Sequence, residues 1–432
     1  MGKSTHNQGC RKGCGCLGAI IFLAVCIVVA TTVALPMAGF DKPPVSLPFV
    51  ESFWQTLIGQ DAGMDAEDES GSVSEDNEAA SDSHTETTQP EEDFSYLKGY
   101  YFFDQMSEDE QKQYAQMYRA LAMRETVDYP SKSEDEIGHM RDCVMADHPE
   151  LFAVDGVTWT YSESEDSSRL RGEFIYTPEE EKRYLQQIDT VVSECEAGIP
   201  EDADDYTRAR CVYEYLVNTI TYDHDAYDNL GTLPSDEQGQ TVVDALLERS
   251  CVCAGYSRAF QLIMQDMGYP CVYITGEIYE NGDTHSWNLV QLDGEWYYVD
   301  VAWGDPSYRG DDGQAWEADE VEYGYLNVTT EDMLRSRSFD SWQTLPDCTA
   351  TADNYFVREG LMLYEADTAQ VAAWGNDAVA NGDGSFSFRC VDQYTYDQVK
   401  QGFDWGSIQF AYGTGYTYTY YDDVFTFTVQ VW

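Results

Sequence analysis

The stretch SCVCAGYSRAFQLIMQDMG, Ser250–Gly268, sets two thiols one residue apart at the mouth of a helix. Tyr256, Ala259, Phe260, Ile263, Met264 and Met267 recur on one helical face, and Gly268 followed by Pro270 stops it. The helix is expected to begin near Ala254, with Cys253 just ahead of it. Unpaired N–H groups and the positive end of the helix dipole stabilise an anion there, so a thiolate is favoured at Cys253. Cys251 lies two residues earlier, on the approach, and gains less. Gly255 is expected to let the backbone come close to a substrate. Three readings of the two thiols stand at this point: a nucleophile, a bridge, or ordinary core.

Three strands follow: CVYITGEIY from Cys271, THSWNLVQL from Thr284 and EWYYVDVAW from Glu295. Asn281-Gly282 separates the first two, and Asp293-Gly294, a strong hairpin signal, separates the second and third. A thiolate nucleophile needs a general base. Of the chain's six histidines only His285 falls in a regular strand beside the cysteine helix. If Asp293-Gly294 is a two-residue turn, Leu292 faces Glu295, Trp287 faces Asp300 and His285 faces Ala302. Opposed residues share a face, so His285, Trp287 and Asp300 point the same way, with His285 and Asp300 as diagonal neighbours about 7–8 Å apart. A carboxylate there can accept the imidazole N–H, fix its tautomer and stabilise the imidazolium.

The segments VCAGYSRAF, HSWNLVQLDGEWYYVDVAWGDP and the upstream YLVNTITYD resemble the bacterial transglutaminase-like superfamily. The likeness covers Thr207–Pro306, with weaker similarity from DHPELF and out to YGYLNVTTEDM and NYFVREG. Cys253 stands at the cysteine of a Cys-x-Gly-Tyr-Ala/Ser motif, His285 at the histidine of His-Ala/Ser-Trp-Asn, and Asp300 at the aspartate of Val-Asp-x-x-Trp. Ala302 and Gly304 depart from the Thr and Asp common around that last Trp, flanking the acid without replacing it. The resemblance implies an α+β, papain-like core: a helix carrying the Cys packed on an antiparallel sheet carrying the His and Asp. It implies acyl transfer through a thioester, with Cys253, His285 and Asp300 as catalytic residues. The Cys253 backbone N–H would hold the oxyanion together with a partner for which Tyr222 and Gln240 are candidates. Trp287 and Trp303 are candidate walls of the substrate site, and as strand aromatics they are first of all core. Cys251 is then expected to be structural, paired with another thiol or buried.

The rest of the chain divides by composition. Residues 1–15 form a short basic tail carrying Lys3, Arg11 and Lys12. Residues 16–40 are apolar and free of charge, long enough for a spanning helix with its N-terminus inside; a cleaved signal peptide is the rival reading. Residues 41–93 are rich in Asp, Glu, Ser and Thr and read as a disordered acidic linker. A largely helical region, 94–190, contains the Ser107/Glu110 capping box and precedes the catalytic core, 191–330. A small α+β C-terminal module, 331–432, is expected to run strand, helix, strand, helix, hairpin.

With 79 acids against 24 bases the net charge is −55, which excludes nucleic acid as a partner. The chain has no Cys-x-x-Cys pair and no His at ligand spacing from one, so no zinc site and no cofactor is expected; the acidic loop at Asp311 and Asp312 has no ordered ligand pattern and leaves calcium dependence open. The expected function is that of a membrane-anchored thiol enzyme facing outward. It would act on a protein or peptide substrate outside the cell, with hydrolysis placed ahead of amine cross-linking. The alternative is a non-catalytic cell-surface binding or scaffolding protein that keeps the fold.

Overall fold

Ser107 and Glu110 do what their spacing predicts. Glu110 Oε2 accepts the Ser107 N–H at 2.9 Å and closes the capping box at the head of α1, Glu108–Ala122. The computed structural model describes residues 94–130, 133–163, 167–309, 321–411 and 413–432. The tail at 1–15, the apolar span at 16–40, the linker at 41–93 and the loop at Asp311 and Asp312 lie outside the described residues. Among the described residues no helix is long and apolar enough to cross a membrane.

Contacts divide the described chain into two units, one comprising 94–144 with Val154–Glu173, the other Met145–Ala153 with Phe174–Trp432. The first holds α1, whose apolar stripe buries Tyr114, Met117 and Leu121, and most of α2, Glu134–Asp147. Its sheet has the order β1-β3-β2, from β1 (Val127–Tyr129), β2 (Val154–Ser162) and β3 (Ser167–Phe174).

The second unit begins with α3, Pro178–Ala197, and α4, Asp205–Thr219. α4 stops at Thr219. Thr221 and Tyr222 instead form β4 and pair in parallel with β5, Ser250–Cys251. α5, Cys253–Asp266, packs against β6 (Cys271–Ile278) and β7 (Thr284–Leu292). With β8 (Glu295–Val299), β9 (Leu326–Val328) and β10 (Arg337–Phe339) these form an antiparallel sheet of order β10-β6-β7-β8-β9. Asp293 and Gly294 both take positive φ, +50° and +83°, as a type I′ turn requires. Leu292 faces Glu295 and Asn288 faces Val299, the register expected from the sequence.

The third strand is shorter than its pattern suggests. Asp300 leaves the sheet because its Oδ1 accepts the Trp303 N–H at 3.1 Å, which bends the chain into a 3₁₀ turn at Ala302–Gly304. Thr284–Trp287 of β7 therefore run on past the paired part of β8.

Further along, β11 (Met362–Leu363), α6 (Thr368–Asn381), β12 (Ser385–Cys390), α7 (Gln393–Asp404), β13 (Tyr416–Tyr421) and β14 (Thr426–Val431) build a sheet of order β11-β12-β14-β13. Phe388, Tyr396, Val399, Phe403, Phe427 and Val429 fill the space between this sheet and its helices. Ahead of β11 the chain makes a helical turn, Tyr355–Arg358, opened by Asn354, whose Oδ1 accepts the Phe356 N–H at 3.1 Å.

Candidate active site

Cys253 is the first residue of α5, one place further into the helix than its sequence suggests. α3, α4, α6 and α7 each begin behind a side chain that accepts a backbone N–H: Thr177, Asp204, Asp367 and Asp392. α5 begins behind Val252, which offers no such bond, and its first turn contains no acid. Its positive end is left for an anion, and the thiol sits there.

Cys253 keeps 8% of its surface exposed. Burial pushes its thiol up, but the charge and hydrogen bond of His285, with hydrogen bonds from the Ser286 side chain and backbone, bring it below the ordinary thiol value. Cys251 is fully buried, and burial followed by the Asp244 and Cys253 charges raises it well above that value. The two neighbouring thiols are thus driven apart, one towards the anion and one away from it.

Gly255 serves Cys251, not a substrate as the sequence suggested. A Cβ on Gly255 would meet Cys251 Cβ at 2.6 Å and Sγ at 2.7 Å, so the missing side chain makes room for the inner thiol. Cys251, Cys253, Cys271, Cys348 and Cys390 are buried thiols outside any disulfide. The bridge considered for Cys251 is therefore not formed, and it is a core residue.

His285 is 4% exposed and Asp300 is completely buried. His285 Nε2 lies 2.8 Å from Asp300 Oδ2, so the expected diagonal contact is made. Burial lowers the imidazole pKa, yet the Asp300 and Cys253 charges outweigh it and raise His285 to about 9. Burial likewise raises the Asp300 carboxyl, and His285 and Arg337 more than offset it, holding the carboxyl below the usual range. Thiol, imidazole and carboxylate form one line of contacts, arranged for a thiolate beside an imidazolium.

The neighbours are a mixture of expected and missed residues. Tyr222 is buried, pairs with Cys251 across β4–β5 and lies within electrostatic reach of Cys253. Gln240 is exposed; its neighbour Gly239 accepts the Val252 N–H at 2.9 Å, which ties that loop to the head of α5. Trp287 is fully buried with its ring 6.0 Å from that of His285, so it packs against the imidazole and presents no surface to a substrate. Trp303 is half-buried and holds Asp300 through its backbone.

Tyr308, Ser286 and Arg337 were missed. Tyr308 places its ring 5.9 Å from His285, 4.7 Å from Tyr222 and 5.4 Å from Trp303, beside the thiol. Ser286 was visible inside the HSWN motif and could have been found there. Its Oγ lies 3.3 Å from the Ser257 Oγ of α5. Arg337, from edge strand β10, donates through Nη1 to Asp300 Oδ2. A lone basic residue in an alternating triplet was its only sequence signal.

Residues 194–301 match the family model described as the Transglutaminase-like superfamily, so the chain carries a domain of that kind. Kyphoscoliosis peptidase of Mus musculus is 28% identical over 116 residues, 24% of this chain and 17% of that protein. Kyphoscoliosis peptidase of Homo sapiens is 28% identical over 127 residues, 27% of this chain and 18% of that protein. The chain thus spans under a fifth of the length of these curated relatives. A solved structure of a TGase covers 34% of this chain and 44% of its own at 15% identity, with a TM-score of 0.25.

Proposed function

We propose that the transglutaminase-like domain carried by residues 194–301 is a thiol acyl-transfer enzyme with Cys253 as nucleophile, His285 as proton carrier and Asp300 as the group that orients it. The observation that carries this reading is the contact line itself: a thiol lowered at the uncapped start of α5, next to an imidazole raised by a buried carboxylate 2.8 Å away.

Each step follows from that arrangement. The thiolate adds to a peptide or carboxamide carbonyl, and the oxyanion takes a hydrogen bond from the Cys253 backbone N–H. Tyr222 is the better second donor of the two candidates. It lies near the thiol, and burial, then the Cys253 charge, raise its pKa and keep its hydroxyl protonated, whereas Gln240 is exposed. As the C–N bond breaks, His285 gives its proton to the leaving amine, leaving a thioester and a neutral imidazole. Water then attacks the thioester while His285 takes up its proton. The C–S bond breaks, releasing a carboxylic acid and restoring the thiolate–imidazolium pair.

A primary amine in place of water would give cross-linking from the same thioester. Hydrolysis is placed first, in keeping with the peptidase name of the two similar proteins. The outward-facing, membrane-anchored placement rests on the charge-free apolar run at 16–40 behind Lys3, Arg11 and Lys12. It is tested by protease accessibility of the folded part in intact cells.

The function is tested by incubating the full chain with a glutamine-containing peptide library, with and without a labelled primary amine. Products that vanish in Cys253→Ala are expected, as cleaved or deamidated peptide. Amine incorporation exceeding hydrolysis would put cross-linking first. No product from the wild-type chain, with uniformly slow labelling of its thiols by iodoacetamide, would refute the enzyme and leave the scaffolding alternative.

A further inference from the structure

Arg337 is fully buried, and its charge is directed at Asp300. Its Nη1 donates to Oδ2, the same oxygen that His285 Nε2 contacts at 2.8 Å. The guanidinium carbon lies 4.1 Å from the ring centroid of Tyr325, 5.2 Å from Trp303 and 5.3 Å from Trp287. Strand register explains how an edge strand reaches the site. Arg337 faces Ile278 and Phe339 faces Gly276 across β10–β6, while Gly276 faces His285 across β6–β7, so these residues share one face of the sheet. A Cβ on Gly276 would meet the Ser338 carbonyl oxygen of β10 at 1.8 Å and Trp287 Cη2 at 2.7 Å, so the missing side chain lets both the edge strand and that ring come close.

An aromatic box does not need a cation. Methionine or leucine would fill it without desolvating a charge, and buried ion pairs are often no more stable than apolar replacements. The charge therefore calls for a role beyond packing. We infer, building on the acyl-transfer reading, that Arg337 is a positioning residue that keeps Asp300 ionised while His285 is without its proton and limits how tightly His285 holds that proton.

The path of the proton gives the reason. Cys253 from α5, Asp300 beyond β8 and Tyr308 from the following turn lie against His285, and Arg337 from β10 reaches it through the Asp300 oxygen that both contact. Beyond Arg337, the Tyr325 hydroxyl donates to Asp423 at 2.5 Å. Once the leaving amine has taken its proton, His285 is neutral. A carboxylate in a dry pocket facing only neutral groups has its pKa pushed up and would take a proton from solvent; its hydroxyl would then donate to His285 Nε2 and leave the imidazole in the wrong tautomer. Arg337 does not titrate, so Asp300 stays a carboxylate throughout. In the other half of the cycle, Asp300 opposed by His285 alone would grip the imidazolium too strongly to let the amine be protonated. A second cation on the same oxygen weakens that grip.

The test is the titration midpoint of the His285 ring followed by NMR in the full chain, with the resonance assigned by its loss in His285→Gln. Arg337→Met removes the neighbouring cation and is expected to raise the midpoint by about one pH unit or more. Arg337→Lys keeps the charge and is expected to leave the midpoint near the wild-type value even if turnover falls. Asp300→Asn, which leaves Arg337 unopposed, is expected to drop the midpoint, and Asp300→Asn combined with Arg337→Met to bring it back up. Arg337→Gln repeats the neutral arm should the methionine variant fail to fold. An unmoved midpoint in a folded neutral variant, or a double variant no higher than Asp300→Asn, overturns the inference. Absence of turnover in the wild-type chain would refute the acyl-transfer reading alone, because the midpoints are read without catalysis.

Discussion

Asp300→Asn is the most searching single substitution, because one carboxylate serves two buried cations. The amide keeps the volume, and its oxygen can still accept the Trp303 N–H that Oδ1 takes at 3.1 Å. Its NH₂ must then sit where Oδ2 was, facing the His285 and Arg337 donors. Arg337, completely buried and always charged, loses its counter-ion. Breaking a buried pair from one side costs about 3–5 kcal/mol, and that is the loss expected in urea unfolding at pH 7.5. His285 also loses the larger of the two charges that raise it, so its pKa falls and it holds the Cys253 thiolate less firmly. A thiol at its ordinary value of about 8.5 is roughly 10% ionised at pH 7.5, so iodoacetamide labelling of Cys253 at that pH should slow, by up to about tenfold. A variant that unfolds at the wild-type urea midpoint and is alkylated at Cys253 at the wild-type rate would show that Asp300 does neither job.

Three further outcomes are expected. His285 rises from 6.5 in the unfolded chain to about 9, so its stabilisation is fully present below pH 6.5 and is lost as pH rises through 9. It amounts to roughly 3 kcal/mol, and urea unfolding at pH 6.5 and 9.5 should show a fall in the wild-type chain that is missing from His285→Gln; parallel curves would contradict it. Gly255→Ala forces a Cβ to within 2.6 Å of Cys251 Cβ and should cost about 1–3 kcal/mol as overpacking, seen as a lower melting temperature. Cys251→Ala should cost about 1 kcal/mol as a small core cavity while leaving the labelling rate of Cys253 unchanged; a lost rate would give Cys251 a part in the chemistry.

The site was legible where local rules apply and hidden where they do not. An Asp-Gly turn fixes its own register, and a period of two fixes faces, so the contact between His285 and Asp300 followed from counting along a hairpin. The cysteine helix announced itself through its apolar stripe and its Gly268 stop, and the choice of Cys253 over Cys251 followed from helix-end electrostatics. Arg337 could not be found that way. β9 and β10 are three-residue strands, too short to carry a pattern, and β10 pairs with β6 across a separation no local rule spans. The purpose of Gly255 was misread for a related reason: what a glycine makes room for depends on how β5 turns into α5, and the sequence records only that something must fit. Tyr222 lies just past the end of α4, and only its pairing with Cys251, far along the chain, brings it beside the thiol.

Catalysis of the kind proposed requires that Cys253 rest as a thiolate held by His285. The pH dependence of alkylation at each cysteine in the native full chain, resolved by mass spectrometry, reads that state without a substrate. Cys253 alone is expected to react quickly and evenly from neutral pH upward, with Cys251 and Cys271 silent and the advantage gone in His285→Ala. A Cys253 that reacts only above pH 9, or no faster than its buried neighbours, would contradict it.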